Sequence, residues 1–144
     1  MYKGSCLCGN ITYSITEELG EFGFCHCKSC RKASGSAHAA NIGVEEQNFH
    51  LSDPQGRLTE YQSSPGKIRA FCGRCGSPLY AYLTKSENIV RVRLGSLDTD
   101  FDTLPSAHTF VSHKAHWEPI EGTLPQFPEW APRAVLVQKG SKQP

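Results

Sequence analysis

The chain has 144 residues, 38% of them apolar, with 13 glycines, 9 prolines, 7 cysteines and a formal net charge of +1. That length fits one domain with room for a core, and the near-neutral charge gives no ground for a nucleic-acid or membrane-surface partner. The opening MYKGSCLCGN lacks the apolar stretch of a signal peptide, and no run of about 18 apolar residues follows, so a soluble, cytoplasmic protein is expected.

The predicted elements are mostly strands. In NITYSI, Ile11, Tyr13 and Ile15 alternate with Thr12 and Ser14, the pattern of a half-buried strand. No stretch holds a helical period for three turns, and the one helical piece expected is a single turn after CKSCRKASG. IRAFC and SPLYAYL read as strands, as does NIVRVRLGSL, where Val90, Val92 and Leu94 point one way and Arg91 and Arg93 the other, toward solvent. HTFVS and RAVLVQ are the last two expected strands, and the polar KGSKQP reads as a frayed tail. Turn signals such as SDPQG, SSPG, TLPS and IEGTLPQFP separate these pieces. The expectation is one mainly β domain over residues 1–144, with a core at about 4–137 and a polar tail at 138–144.

The seven cysteines fall in three short stretches. Cys6 and Cys8 form a Cys-x-Cys clip followed by Gly9, and Cys72 and Cys75 form a Cys-x-x-Cys knuckle followed by Gly76. Cys25, Cys27 and Cys30 form Cys-x-Cys-x-x-Cys. In a reducing compartment such clusters bind metal more often than they form disulfides, and a disulfide inside Cys-x-Cys is badly strained. Short clips aim two sulfurs at one small tetrahedral ion, and an adjacent glycine lets the backbone turn sharply. Cys6, Cys8, Cys72 and Cys75 complete a closed four-sulfur set, which reads as structural zinc. Cys25, Cys27 and Cys30 supply three ligands, and an unfilled fourth position marks catalytic zinc. Two zinc ions are therefore expected. Alternatives for the triplet are a fourth ligand from His26, His38 or a distant histidine, or a redox cluster without stable metal. A third is a different partition that pairs part of the triplet with the knuckle.

GSCLCG, CHCKSCRKASGS, RAFCGRCGSPLY, VRLGSLD and HTFVSHKAHWEPI occur in this order from about Cys6 to Phe127. In that order and spacing the chain resembles the glutathione-dependent formaldehyde-activating enzyme family, also described as centromere-protein-V-like. The resemblance implies a β-tent of small antiparallel sheets with little helix, pinned by zinc. It places structural zinc on Cys6, Cys8, Cys72 and Cys75 and catalytic zinc on Cys25, Cys27 and Cys30. It also implies a carbon–sulfur lyase reaction, joining formaldehyde and glutathione as S-hydroxymethylglutathione. Other members act on different carbonyl- or imine-type adducts.

Proton-transfer candidates are His26, His38, Asp98, His108, His113 and His116, with His108, Asp98 and His26 as the catalytic set. His108 matches a histidine of the family motif. His26 reads equally as an outward-facing loop residue, and Asp98, after GSL, as the cap of a turn. Lys28, Arg31 and Lys32 can attract the carboxylates of a glutathione-like ligand or simply offset thiolate charge, and Trp117 can wall a pocket. Two other functions compete: a non-enzymatic zinc-binding interaction module, and a thiol redox or zinc-sensing protein. Neutral charge without a basic stripe weighs against a chromatin module.

Overall fold

The computed structural model describes residues 1–85 and 88–132. Ten strands and one helix follow one another as β1 (Tyr2–Ser5), β2 (Thr12–Ile15), β3 (Phe22–Cys25), α1 (Lys28–Ser34), β4 (Ala39–Glu45), β5 (Phe49–Ser52), β6 (Leu58–Ser64), β7 (Lys67–Cys72), β8 (Pro78–Leu83), β9 (Ile89–Arg93) and β10 (Pro105–Thr109). They form a three-stranded sheet, β1-β2-β5, and a seven-stranded sheet, β10-β3-β4-β9-β8-β7-β6. Every pairing is antiparallel except that of β10 with β3. The mainly β architecture with little helix expected from the sequence is present, as two sheets and one helix among the described residues. No helix among the described residues is long and apolar enough to cross a membrane.

The core lies where the two sheets face each other. Ile11, Tyr13 and Ile15, on or beside β2, pack with Phe22, Ile42, Val44, Leu79 and Val92 of the larger sheet. Alternation supplies these residues: Thr12 is exposed while Tyr13 and Ile15 are buried, and Val90 and Val92 are buried from β9. Gly4 of β1 lies opposite Tyr13, whose ring covers it and whose hydroxyl meets Ser96 Oγ at 2.7 Å. A Cβ there would strike the Tyr13 ring and come within 2.7 Å of the Ser96 backbone oxygen. Gly4→Ala is therefore expected to cost about 2 kcal/mol through overpacking, measured as a lower urea midpoint; an unchanged midpoint would contradict this packing.

Three expectations need correction. The helix does not follow CKSCRKASG but lies inside it. Cys27 is the N-cap, its sulfur accepting the Cys30 N–H at 3.3 Å, and Gly35, at φ 68°, ends the helix by donating its N–H to the Arg31 carbonyl. A helix of 7 residues shows no three-turn period, which is why periodicity misses its extent. HTFVS is a strand only at its first two residues. β10 begins earlier, at Pro105, and stops where Phe110 turns into the left-handed region at φ 55°, followed by a 3-10 turn over Val111–His113.

The third correction concerns β9. Arg93 is only 8% exposed, and its Nη1 donates to Asn41 Oδ1. β9 lies between β4 and β8 and four of its five residues are buried, so alternation there does not separate core from solvent. The expected strand RAVLVQ and the tail lie outside the described residues.

Candidate metal centre

The four-sulfur group is built from two turns of the same design. In each, a cysteine carbonyl accepts the N–H of the glycine that ends the clip: Gly9 to Cys6 at 2.9 Å and Gly76 to Cys72 at 2.8 Å. Gly9 and Gly76 both sit in the left-handed region, at φ 74° and 77°, where a Cβ is disfavoured. Cys72 ends β7, so the turn is anchored to the large sheet, while Cys6 follows β1 of the small one. The sulfurs of Cys6, Cys8, Cys72 and Cys75 all lie within 4.8 Å of one another. Cys6 and Cys8 are 3.5 Å apart and Cys8 and Cys72 3.9 Å apart. A tetrahedron with metal–sulfur arms of about 2.3 Å has edges of about 3.8 Å, so the spacing fits a shared ion. A disulfide needs about 2.05 Å, and all seven cysteines are free. Burial opposes ionisation of Cys75, yet the N–H groups of Ser77 and Cys8 and the neighbouring thiols bring its pKa down to about 6.

The second group holds Cys25 at the end of β3, Cys27 at the cap of α1 and Cys30 in its first turn, again within 4.8 Å of one another. Among the described residues no histidine, carboxylate or further cysteine joins them. The thiols of Cys25 and Cys30 hold Cys27 far below the usual thiol range, while Cys27 and Cys30 push Cys25 up. Crowded this way, the three sulfurs favour a thiolate at the helix cap, a donor set suited to a soft or borderline cation.

His26 is not an outward-facing loop residue: it is 1% exposed. Its Nε2 lies 2.8 Å from His108 Nδ1, and the His38 ring is 5.2 Å away. The parallel pairing of β10 with β3, which sets His108 opposite Phe24, creates this meeting of residues 82 positions apart. Burial first, then the His108 and His38 charges, lowers the His26 pKa to about 4, so the ring is neutral at pH 7. Burial also lowers His108 and His38. His113 and His116 are exposed. Asp98 is exposed too, its backbone N–H donates to the Lys3 carbonyl at 2.8 Å, and it lines a hollow shared with Cys6, His38 and Arg93.

Of the expected substrate contacts, Lys28 is exposed and Arg31 Nη1 donates to the His113 carbonyl at 3.0 Å, tying α1 to the turn after β10. Lys32 lines a cavity of about 550 Å³ between α1 and strands β6 to β9, together with Ala33, Tyr61, Arg69, Phe71 and Arg93. Trp117 is 58% exposed, and the aromatic edge contact near this end is instead that of Phe110 with Trp130, at 5.2 Å.

The sequence profile described as glutathione-dependent formaldehyde-activating enzyme matches residues 1–113. The chain belongs to this family. The span matched by the glutathione-dependent formaldehyde-activating enzyme family contains all seven cysteines, His26 and His108, and ends before Trp117. A Halomonas elongata protein provisionally described as a glutathione-dependent formaldehyde-activating enzyme is 28% identical over 130 residues, covering 84% of this chain and 82% of that protein. A crystal structure of a Rhodobacter sphaeroides protein shares the fold, with a TM-score of 0.57 and 21% identity, covering 69% of this chain and 90% of that one.

Alternation misled the sequence reading about the basic residues. Lys67 on β7 lies within electrostatic reach of Cys30 and Cys27, and Arg93 within reach of all three cysteines of the triplet. Their only mark in the sequence was the alternate placing of Lys67 with Arg69 and of Arg91 with Arg93.

Proposed function

We propose that this protein is a zinc-dependent enzyme of the carbon–sulfur lyase type, which joins formaldehyde or a related small carbonyl compound to the thiol of glutathione or a similar thiol. The observation that supports this reading most is the triplet Cys25, Cys27 and Cys30, one ligand short of a tetrahedron among the described residues. A zinc ion bound there favours the deprotonated form of a thiol and polarises a carbonyl oxygen. The other group, Cys6, Cys8, Cys72 and Cys75, is closed and holds the structural ion in this reading. Seven unpaired cysteines suit a reducing, cytoplasmic setting.

In the reaction the thiol loses its proton, a sulfur–carbon bond forms as the carbonyl π bond opens, and a proton is taken up by the new hydroxyl. Atoms and electrons balance without an oxidant or reductant. Cys27, fixed by its bond to the Cys30 N–H, holds the position of the triplet relative to α1. We assign the proton transfer to the His26–His108 pair, whose His26 stands between Cys25 and Cys27 in the chain. Burial keeps both rings neutral, so the pair suits a relay in which one nitrogen gives up a proton as another receives one. Asp98, in a separate hollow, has the place of a turn-forming residue.

Metal analysis of the purified chain, with carbon-13 formaldehyde and glutathione followed by NMR, tests this reading. One zinc per cysteine group and adduct formation about 100-fold or more above buffer are expected. Full metal content without acceleration would leave a non-enzymatic zinc module.

A further inference from the structure

Four cations stand on one face of the large sheet. Arg69 pairs across β7 and β8 with Ala81, Ala81 pairs with Arg91, and Arg91 pairs with Gly43 of β4. In an antiparallel ladder, residues directly opposite share a face, so Arg69 and Arg91 flank a small residue, about 10 Å apart across two strand spacings. Lys67 and Arg93, two positions along from each, share this face. Cys25 does too, because it lies opposite Ala39 of β4, and Asn41 and Gly43 continue that row toward Arg93 and Arg91.

The sulfur triplet cannot account for this much positive charge. Three thiolates around a divalent ion carry one net negative charge, fewer than the three positive charges of Lys67, Arg69 and Arg93. The charges acting most strongly on Lys67 include Arg69, Cys30, Arg93 and Arg91, and those on Arg93 include Cys30, Arg69, Cys25 and Cys27. The carboxylate that lines the cavity beside α1, Glu60, accepts instead from the Tyr82 hydroxyl at 3.2 Å. Like charges gathered in a half-buried place are unfavourable unless an anion joins them.

Arg69 shows where the anion belongs. Its Nε donates to Ser63 Oγ at 2.9 Å, which fixes the plane of the guanidinium, while Nη1 of the same group is buried without a hydrogen-bond partner. Arg69 and Arg93 both line the 550 Å³ cavity beside α1, the helix that carries Cys30 and is capped by Cys27. Arginine pairs with carboxylates in a bidentate fork.

We propose that Arg69 and Arg93, supported by Lys67, form an anion subsite that takes a carboxylate of the thiol substrate while its sulfur reaches the Cys25–Cys27–Cys30 centre. This rests on the function proposed above and adds a selection rule: carboxylate-bearing thiols are chosen over neutral ones by the sheet face, not by Lys28 or Arg31 of the helix.

The test uses the zinc-loaded full chain, with glutathione and glutathione dimethyl ester as paired probes. Each probe is measured by calorimetric binding and by turnover with formaldehyde. Wild-type protein is expected to bind glutathione about tenfold or more tighter than the ester. Arg69→Gln is expected to remove most of that difference and Arg69→Lys to restore part of it, with zinc content checked in each variant. Equal binding of the two probes to wild-type protein, a ratio unchanged in Arg69→Gln, or no binding of either probe would overturn the subsite. Selective binding without turnover would instead uphold the subsite and refute the enzymatic reading.

Discussion

Replacement of Cys72 by serine is expected to unfold much of the domain. Cys72 is 0% exposed at the end of β7, and its turn brings residues 72–75 to the clip at residues 6–8. The closed segment spans more than 60 residues, and holding its ends together without a cross-link costs about 3–4 kcal/mol in chain entropy. The apolar fraction is only 38%, which leaves little reserve. A metal bound by four thiolates in the folded chain alone adds its binding free energy to folding. Cys72→Ser should therefore lose one metal ion per chain and lower the melting temperature by about 10 °C or more. The same loss should follow when a strong chelator strips the wild-type protein. A melting temperature within about 2 °C of wild type, with one ion lost, would show that the four-sulfur group does not hold the sheets together.

The cysteine turns could be read from the sequence because their geometry is local. Four or five residues contain both ligands, the carbonyl that receives the glycine N–H, and the glycine that must turn left-handed. β2 and β9 could be read because alternation against a core leaves a period of two. β4, with the sequence AANIGVE, could not: small residues and a glycine give no apolar period, and the strand is defined by its pairing with β9. β6 is exposed along most of its length and is held by the backbone ladder to β7 rather than by burial. The His26–His108 contact was out of reach for a related reason. It depends on a parallel pairing between strands far apart in the chain. Alternation likewise placed Arg91 and Arg93 opposite the valines, but it carries no information about what covers that second face. The cover includes α1, which lines a cavity with Arg93, and it makes one of the two arginines expected to face solvent a neighbour of the sulfur triplet.

The triplet is expected to respond differently from the four-sulfur group, and Cys27 separates the two. Its sulfur has a second duty besides any metal: it caps α1 by accepting the Cys30 N–H at 3.3 Å. Serine is a good N-cap and keeps that acceptor, whereas alanine removes it at a cost of about 1 kcal/mol. Cys27→Ser is thus expected to lose one metal ion and about 100-fold or more in turnover. Its unfolding midpoint should stay close to wild type, because Cys6, Cys8, Cys72 and Cys75 remain. Cys27→Ala should lose the same ion and the same activity, and its midpoint should fall by the additional capping contribution. The comparison of serine with alanine therefore measures the cap, and that of serine with wild type measures the metal. Full turnover by Cys27→Ser after loss of its ion would refute the metal-assisted reading. Collapse of the fold, as in Cys72→Ser, would make both centres structural and remove the asymmetry on which the proposed chemistry depends.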